Sequence, residues 1–227
     1  MLICIPRLLS SEEVARARHL MALAEWVDGR GTAGAQSASV KDNTQIDQHS
    51  AEGRELSDLL LDALSRNSLF LSAAMPARIM PPLFSSYTQG QSFGLHVDNA
   101  IRGIPGTSIR FRTDLSCTVF FAEPDEYDGG ELEIETRFGA QQVKLPAGDA
   151  VLYPSTSLHR VTEITRGRRL VSFFWLQSMI RSEEDRTLMF ELDQAIQEMA
   201  ADKGVADPMA VRLTGIYHNL IRRWAEI

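Results

Sequence analysis

Apolar residues recur at helical spacing from Val14 through Ala17, Leu20 and Met21 to Ala24, and Ser10 with Glu13 three residues on forms a capping box ahead of them. This predicts a helix over 11–26, after a short strand over 2–6. A second stripe, Leu56, Leu59, Leu60, Ala63 and Leu64, predicts a helix over 52–66. Between them, 28–39 is rich in Gly, Ala and Ser and reads as a loop, either a flap over a site or an inert connector. From Ile79 to Leu176 the pattern changes to short alternations broken by Gly and Pro, which predicts a sandwich or barrel of antiparallel strands. The strands fall at 83–88, 94–98, 115–122, 131–135, 142–145, 150–153, 159–163 and 169–177, the last two as a hairpin turning at Arg166-Gly167. Glu131, Glu133 and Glu135 alternate with Leu132 and Ile134, as on a strand with one solvated face, rather than forming a cation-binding cluster. Helical spacing returns after Ser182, with Leu188, Leu192, Ala195, Ile196 and Met199 on one stripe. Asp207-Pro208 then opens a final helix carrying Val211, Leu213, Ile216, Leu220, Ile221 and Trp224. This helical pair either covers the sheet or buries its stripe against a second copy, a homodimer.

Composition narrows the picture. At 227 residues with 44% hydrophobic and 23% charged residues, the chain has the profile of a soluble globular protein, and its length fits one domain with an appendage or one large β domain. Its net charge of −7 argues against a general nucleic-acid or anionic-membrane binder. No apolar run approaches the roughly 20 residues of a membrane span, and Met-Leu-Ile-Cys-Ile-Pro-Arg does not read as a secretory signal. Cys4 and Cys117 have no metal-type or redox-type spacing, and Cys117 lies in an apolar run as a small buried side chain. A reducing cytoplasm is the expected compartment.

The candidate chemistry starts at His96-Val97-Asp98. In an extended strand residues i and i+2 share a face, so an imidazole and a carboxylate converge there. The triplet alone favours a surface His–Asp hydrogen bond; a second histidine, His159, would complete the 2-His-1-carboxylate face used for non-haem Fe(II). With a three-residue loop at 165–167, Glu163 faces Arg169, and His159 and Arg169 lie on one face of the hairpin. A guanidinium there suits a carboxylate bound through two parallel hydrogen bonds. Tyr87 is read equally as a group hydrogen-bonding that co-substrate or as a core tyrosine, and Asn99 as a residue orienting a ligand. Arg102, Arg110 and Arg112 form a basic cluster read as a solvated loop, with steering of an anionic substrate as the alternative. Phe173 and Trp175 are read as barrel packing, and His19 and His49 as histidines without a metal partner.

Gly-Gln-Ser-Phe-Gly-Leu-His-Val-Asp-Asn-Ala and His-Arg-Val-Thr-Glu-Ile-Thr-Arg-Gly-Arg-Arg-Leu-Val-Ser-Phe-Phe-Trp-Leu-Gln-Ser resemble the Fe(II)/2-oxoglutarate dioxygenases of the prolyl-4-hydroxylase-like branch. Over essentially the whole chain the resemblance is to the bacterial PKHD-type hydroxylases, often described as iron-uptake factors. It implies an α+β fold: a double-stranded β-helix (jelly-roll) core over about 78–178, with N-terminal helices packed on it. The dioxygenase domain would span 1–178 and a C-terminal two-helix appendage 179–227. It implies that His96, Asp98 and His159 bind iron and that Arg169 binds the distal carboxylate of 2-oxoglutarate, with L-ascorbate as a further cofactor. The implied reaction couples decarboxylation of 2-oxoglutarate and O₂ consumption to hydroxylation of an unactivated C–H bond, in a small molecule tied to iron or siderophore uptake or in a peptidyl proline. The reading from another class is a non-catalytic, cupin-like barrel that holds a metal or senses 2-oxoglutarate.

Overall fold

Ser10 caps the first helix as its sequence requires: its hydroxyl accepts from the Glu13 amide, and the Glu13 carboxylate accepts from the Ser10 amide. The computed structural model describes residues 1–104 and 106–226. In chain order the elements are β1 (Ile3–Ile5), α1 (Ser11–Leu23), β2 (Trp26–Asp28), a 3-10 turn (Gly29–Thr32), α2 (Ala35–Ala38), β3 (Lys41–Asp42), β4 (Thr44–Ile46), α3 (Ala51–Arg66), α4 (Ser68–Ala74), β5 (Pro76–Ile79), β6 (Leu83–Thr88) and β7 (Ser92–His96). There follow β8 (Ile101–Gly103), β9 (Arg110–Arg112), β10 (Leu115–Phe120), β11 (Tyr127–Gly129), β12 (Leu132–Thr136), β13 (Gly139–Val143), β14 (Ala150–Pro154), β15 (His159–Val161), β16 (Ile164–Ser178), α5 (Glu183–Lys203) and α6 (Pro208–Trp224).

Two antiparallel sheets build the core. The major one runs β1-β14-β10-β16-β6-β4-β2, with β5 and β11 also paired to β16; the minor one runs β13-β12-β15-β7-β3. Strand β10 shows how one alternating sequence serves two layers. Its Cys117 and Val119 pack into the apolar cluster under the helices, beside Leu56, Leu60 and Leu64 of α3. Its Phe120 points the other way, into a second cluster with Ile134 and Val161 of the minor sheet. Burying each such Leu or Phe stabilises the fold by about 1.5–3 kcal/mol, so the major sheet is packed on both faces, one against the helices and one against the minor sheet. The result is the expected jelly-roll of an α+β chain.

Several boundaries differ from the sequence reading. α1 ends at Leu23, not Trp26, because Trp26 opens β2 and its indole N–H donates back to the Met21 carbonyl. α4 was not expected; Asn67 caps it and Met75 ends it in a left-handed conformation. Region 28–39 is not a free loop. It holds the 3-10 turn and α2, and β2 and β3, which flank them, extend the major and minor sheets.

The largest correction concerns the final hairpin. Residues 164–178 form one continuous strand, so nothing turns at Arg166-Gly167. Gly167 (φ +77°) pairs with Tyr127, and a Cβ there would lie 2.1 Å from the Glu126 carbonyl oxygen. The glycine serves close strand approach rather than a reversal. The chain instead crosses between sheets at Thr162-Glu163, which puts β15 in the minor sheet and β16 in the major one.

Candidate active site

His96 closes β7 and His159 opens β15, and the two are direct partners across that antiparallel pair. Their ring centroids lie 4.2 Å apart. Each Nδ1 sits against a carbonyl two residues upstream, Gly94 O at 2.8 Å for His96 and Ser157 O at 2.9 Å for His159. A carbonyl can only accept, so each Nδ1 carries the proton and each Nε2 keeps its lone pair for a metal. Asp98 lies just past the end of β7, not within the strand as expected, yet its Oδ2 is 3.7 Å from His159 Nε2. One donor atom from each of the three falls within 4.8 Å of the others. Burial, then the neighbouring His159, pushes the His96 imidazole down to about 4, so that ring is neutral at pH 7. Two imidazoles and a carboxylate are a donor set that fits one divalent ion with coordination positions left open.

Surrounding groups hold these donors in place. Phe93 stacks on His96 at 3.7 Å and Tyr153 meets His159 edge-on at 5.2 Å. The Ser116 hydroxyl donates to Asp98 Oδ2 at 2.6 Å and lies 2.7 Å from the Ser155 hydroxyl. This is the orienting role expected of Asn99, whose side chain instead abuts Gly34.

The three donors line a cavity that also reaches Tyr87 and Arg169. Arg169 on β16 is the direct partner of Tyr87 on β6, and its guanidinium lies 5.3 Å from the Tyr87 ring and 5.5 Å from the Phe120 ring. It is only 1% exposed, forms no ion pair among the described residues, and its Nε lacks any hydrogen-bond partner, as does the Tyr127 hydroxyl. A buried, unpaired guanidinium is costly unless an anion joins it. The Tyr87 hydroxyl stays neutral, its pKa raised mainly by burial. Gly130 keeps room for Arg169: a Cβ there would lie 3.0 Å from Arg169 Cδ and 2.3 Å from Ile164 Cδ1. His159 and Arg169 thus share a cavity by facing across two sheets, not along a hairpin.

The basic cluster divides. Arg112 pairs with Asp114 and Glu226, Arg110 is exposed, and Arg102 lies over the Trp175 ring at 3.8 Å. Phe173 and Trp175 pack edge to face as expected, but both also line the cavity. His19 and His49 are exposed and stand apart from the three donors. Sequence reasoning missed Tyr127, Ser116 and Lys41. The Gly129-Gly130 pair after Tyr127 was a signal of close packing; Lys41 and Ser116 had none.

The 2OG-Fe(II) oxygenase superfamily matches residues 82–177, and the PKHD-type hydroxylase C-terminal domain matches residues 183–226. A PKHD-type hydroxylase from Methylobacillus flagellatus is 57% identical over 226 residues, covering all of both chains. A crystal structure of a Pseudomonas putida prolyl-4-hydroxylase is 22% identical with TM-score 0.50, over 78% of this chain and 92% of that one. HygX from Streptomyces hygroscopicus, with nickel, 2-oxoglutarate and hygromycin B bound, is 15% identical with TM-score 0.52, over 78% of this chain and 82% of that one. At these identities the two structures speak for a shared fold alone, whereas the full-length relative speaks for more: the chain belongs to the PKHD-type hydroxylases, enzymes of the 2OG-Fe(II) oxygenase superfamily.

Proposed function

We propose that His96, Asp98 and His159 hold Fe(II), that Arg169 with Tyr87 receives the distal carboxylate of 2-oxoglutarate, and that the enzyme hydroxylates an unactivated C–H bond. The observation behind this reading is the meeting of three donors within 4.8 Å in the cavity where Arg169 lies buried and unpaired. Bound Fe(II) would supply the power to oxidise a C–H bond at the expense of O₂ and of 2-oxoglutarate, which is decarboxylated to succinate. The protein's part is positional. The Nδ1–H bonds to Gly94 and Ser157 aim both imidazoles, Ser116 fixes the carboxylate rotamer, and Arg169 sets the reach of the co-substrate. Phe93, Val161 and Phe173 line the cavity with apolar surface that excludes water from the reacting centre.

The test is O₂-dependent succinate formation from 2-oxoglutarate with Fe(II). His96→Ala and His159→Ala should abolish it, and Arg169→Ala should raise the KM for 2-oxoglutarate tenfold or more. Turnover retained in both histidine variants rejects the site.

The finer reading names an iron- or siderophore-linked small molecule as substrate, ahead of a peptidyl proline, and L-ascorbate as the reductant that sustains turnover. It rests on the family resemblance. Metabolomes of iron-limited cells with and without the gene should differ in a compound one oxygen heavier, and no such difference counts against it. Faster inactivation without ascorbate tests the reductant. We also propose a cytoplasmic enzyme, with 1–178 as its catalytic unit and 179–227 as a helical appendage that pairs two copies. No helix among the described residues is long and apolar enough to cross a membrane. Leu188, Val211 and Ile216 leave apolar surface exposed on α5 and α6; a monomer by light scattering at micromolar concentration contradicts the pairing.

A further inference from the structure

A second, smaller recess, open to solvent, adjoins the three donors on the side formed by β3, the 3-10 turn and β8, and shares Phe93, His96, Asp98, Phe173 and Trp175 with the larger cavity. Two cations stand in it. Lys41 is almost wholly buried and lies 5.4 Å from each of the Phe93 and Phe173 rings. Its Nζ donates to the Thr32 hydroxyl at 2.9 Å, the one hydrogen bond it makes among the described residues. Arg102 lies over the Trp175 ring at 3.8 Å and donates from one terminal nitrogen to the Thr32 carbonyl at 2.8 Å. Neither forms an ion pair among the described residues. The carboxylates nearby are engaged elsewhere, Asp28 by Arg30 and Asp98 by Ser116.

Charge counting makes the pair conspicuous. On the reading proposed above, Fe(II), the Asp98 carboxylate, the 2-oxoglutarate dianion and the Arg169 guanidinium sum to zero formal charge. Lys41 and Arg102 then have no ion-pair partner of their own among the described residues and repel one another, while Asp28 and Asp98 offset only part of the cost of burying Lys41. Thr32 offers each of them one oxygen atom, its hydroxyl and its carbonyl, so both side chains are held while N–H groups remain free to donate.

We infer that the substrate is a small anion whose carboxylate or phosphate group docks between Lys41 and Arg102, with its apolar part against Phe173 and Trp175 and its reacting carbon toward the three donors. This rests on the iron and 2-oxoglutarate reading. It makes Arg169 and the Lys41–Arg102 pair two cationic poles on either side of the metal, one for the co-substrate and one for the substrate. The basic cluster of the sequence thus contains one substrate-facing residue, Arg102, and its second member is Lys41, about sixty residues upstream.

The test uses protein loaded with Mn(II), which is redox-quiet here, and saturating 2-oxoglutarate. Benzoate, phenyl phosphate and neutral benzamide are titrated by calorimetry. At least one anion should bind tenfold or more tighter than benzamide, and which anion wins assigns carboxylate or phosphate. Lys41→Met and Arg102→Met should each weaken that anion about tenfold or more, the loss of one charge-assisted contact. Lys41→Arg should retain most of the affinity. Titration of 2-oxoglutarate itself, unchanged in all three variants, certifies the fold and tests the underlying reading separately. Anions binding no better than benzamide, or binding both Met variants as they bind the wild type, would overturn the inference.

Discussion

At the scale of single residues, the site depends on groups that touch no reactant. Ser116 holds Asp98 through a 2.6 Å hydrogen bond, and Ser155 holds Ser116. Ser116→Ala should leave the fold within about 1 kcal/mol of wild type but weaken Mn(II) binding roughly tenfold; equal affinities would mean that Asp98 needs no orientation. Lys41 gives a pH signature. Burial first, and then repulsion from Arg102, push its ammonium down to about 8, while Asp28 and Asp98 pull the other way. A lysine so depressed loses its proton in the folded state first. Between pH 8 and about 10.4 the unfolded chain therefore holds more protons, and stability gains from Lys41 as pH rises. Urea midpoints of the metal-free protein should rise relative to those of Lys41→Met across that window. Parallel profiles would show that Lys41 ionises as it does in water.

At the scale of elements, legibility followed burial pattern. The capping residues Ser10 and Asp207 with the stripes behind them placed α1 and α6, and the stripe after Ser182 placed α5, because a cap and a periodic face are local properties. The alternation of Cys117 and Val119 against Thr118 and Phe120 placed β10 for the same reason. The crossing from β15 to β16 was not legible. A glycine after an arginine between two apolar runs reads as a turn, and only the arrival of β11 from about forty residues upstream shows that Gly167 is needed for contact. This gives a graded prediction. Gly167→Ala combines a positive φ with a 2.1 Å approach to backbone and should cost about 2 kcal/mol or more. Gly90→Ala has a positive φ but open space, and should cost about 1 kcal/mol. Denaturant midpoints decide; equal losses would remove the packing role of Gly167.

At the scale of the whole molecule, the jelly-roll explains why residues distant in sequence share one cavity. The minor sheet supplies both imidazoles and, from β3, the Lys41 of the adjoining recess, while the major sheet supplies Arg169 and Ser116. The three donors were legible because their types are rare and their chemistry specific. Lys41 and Tyr127 were not, since one lysine in a polar stretch and one tyrosine before a glycine pair look like surface and core. The C-terminal helices rest on a thin core of Met75, Ile180 and Met189, and are tied back by Arg112–Glu226 and by the bridge between Ile180 and Ala225. The central claim, one metal at His96, Asp98 and His159 with Arg169 holding the co-substrate, is tested most directly by anaerobic titration of Fe(II) and then 2-oxoglutarate. The wild type should bind one iron per chain and take up 2-oxoglutarate only when iron is present; His159→Ala should lose the iron, and Arg169→Ala should keep it while binding 2-oxoglutarate at least about tenfold more weakly. Stoichiometric iron in His159→Ala, or wild-type 2-oxoglutarate affinity in Arg169→Ala, would contradict the account.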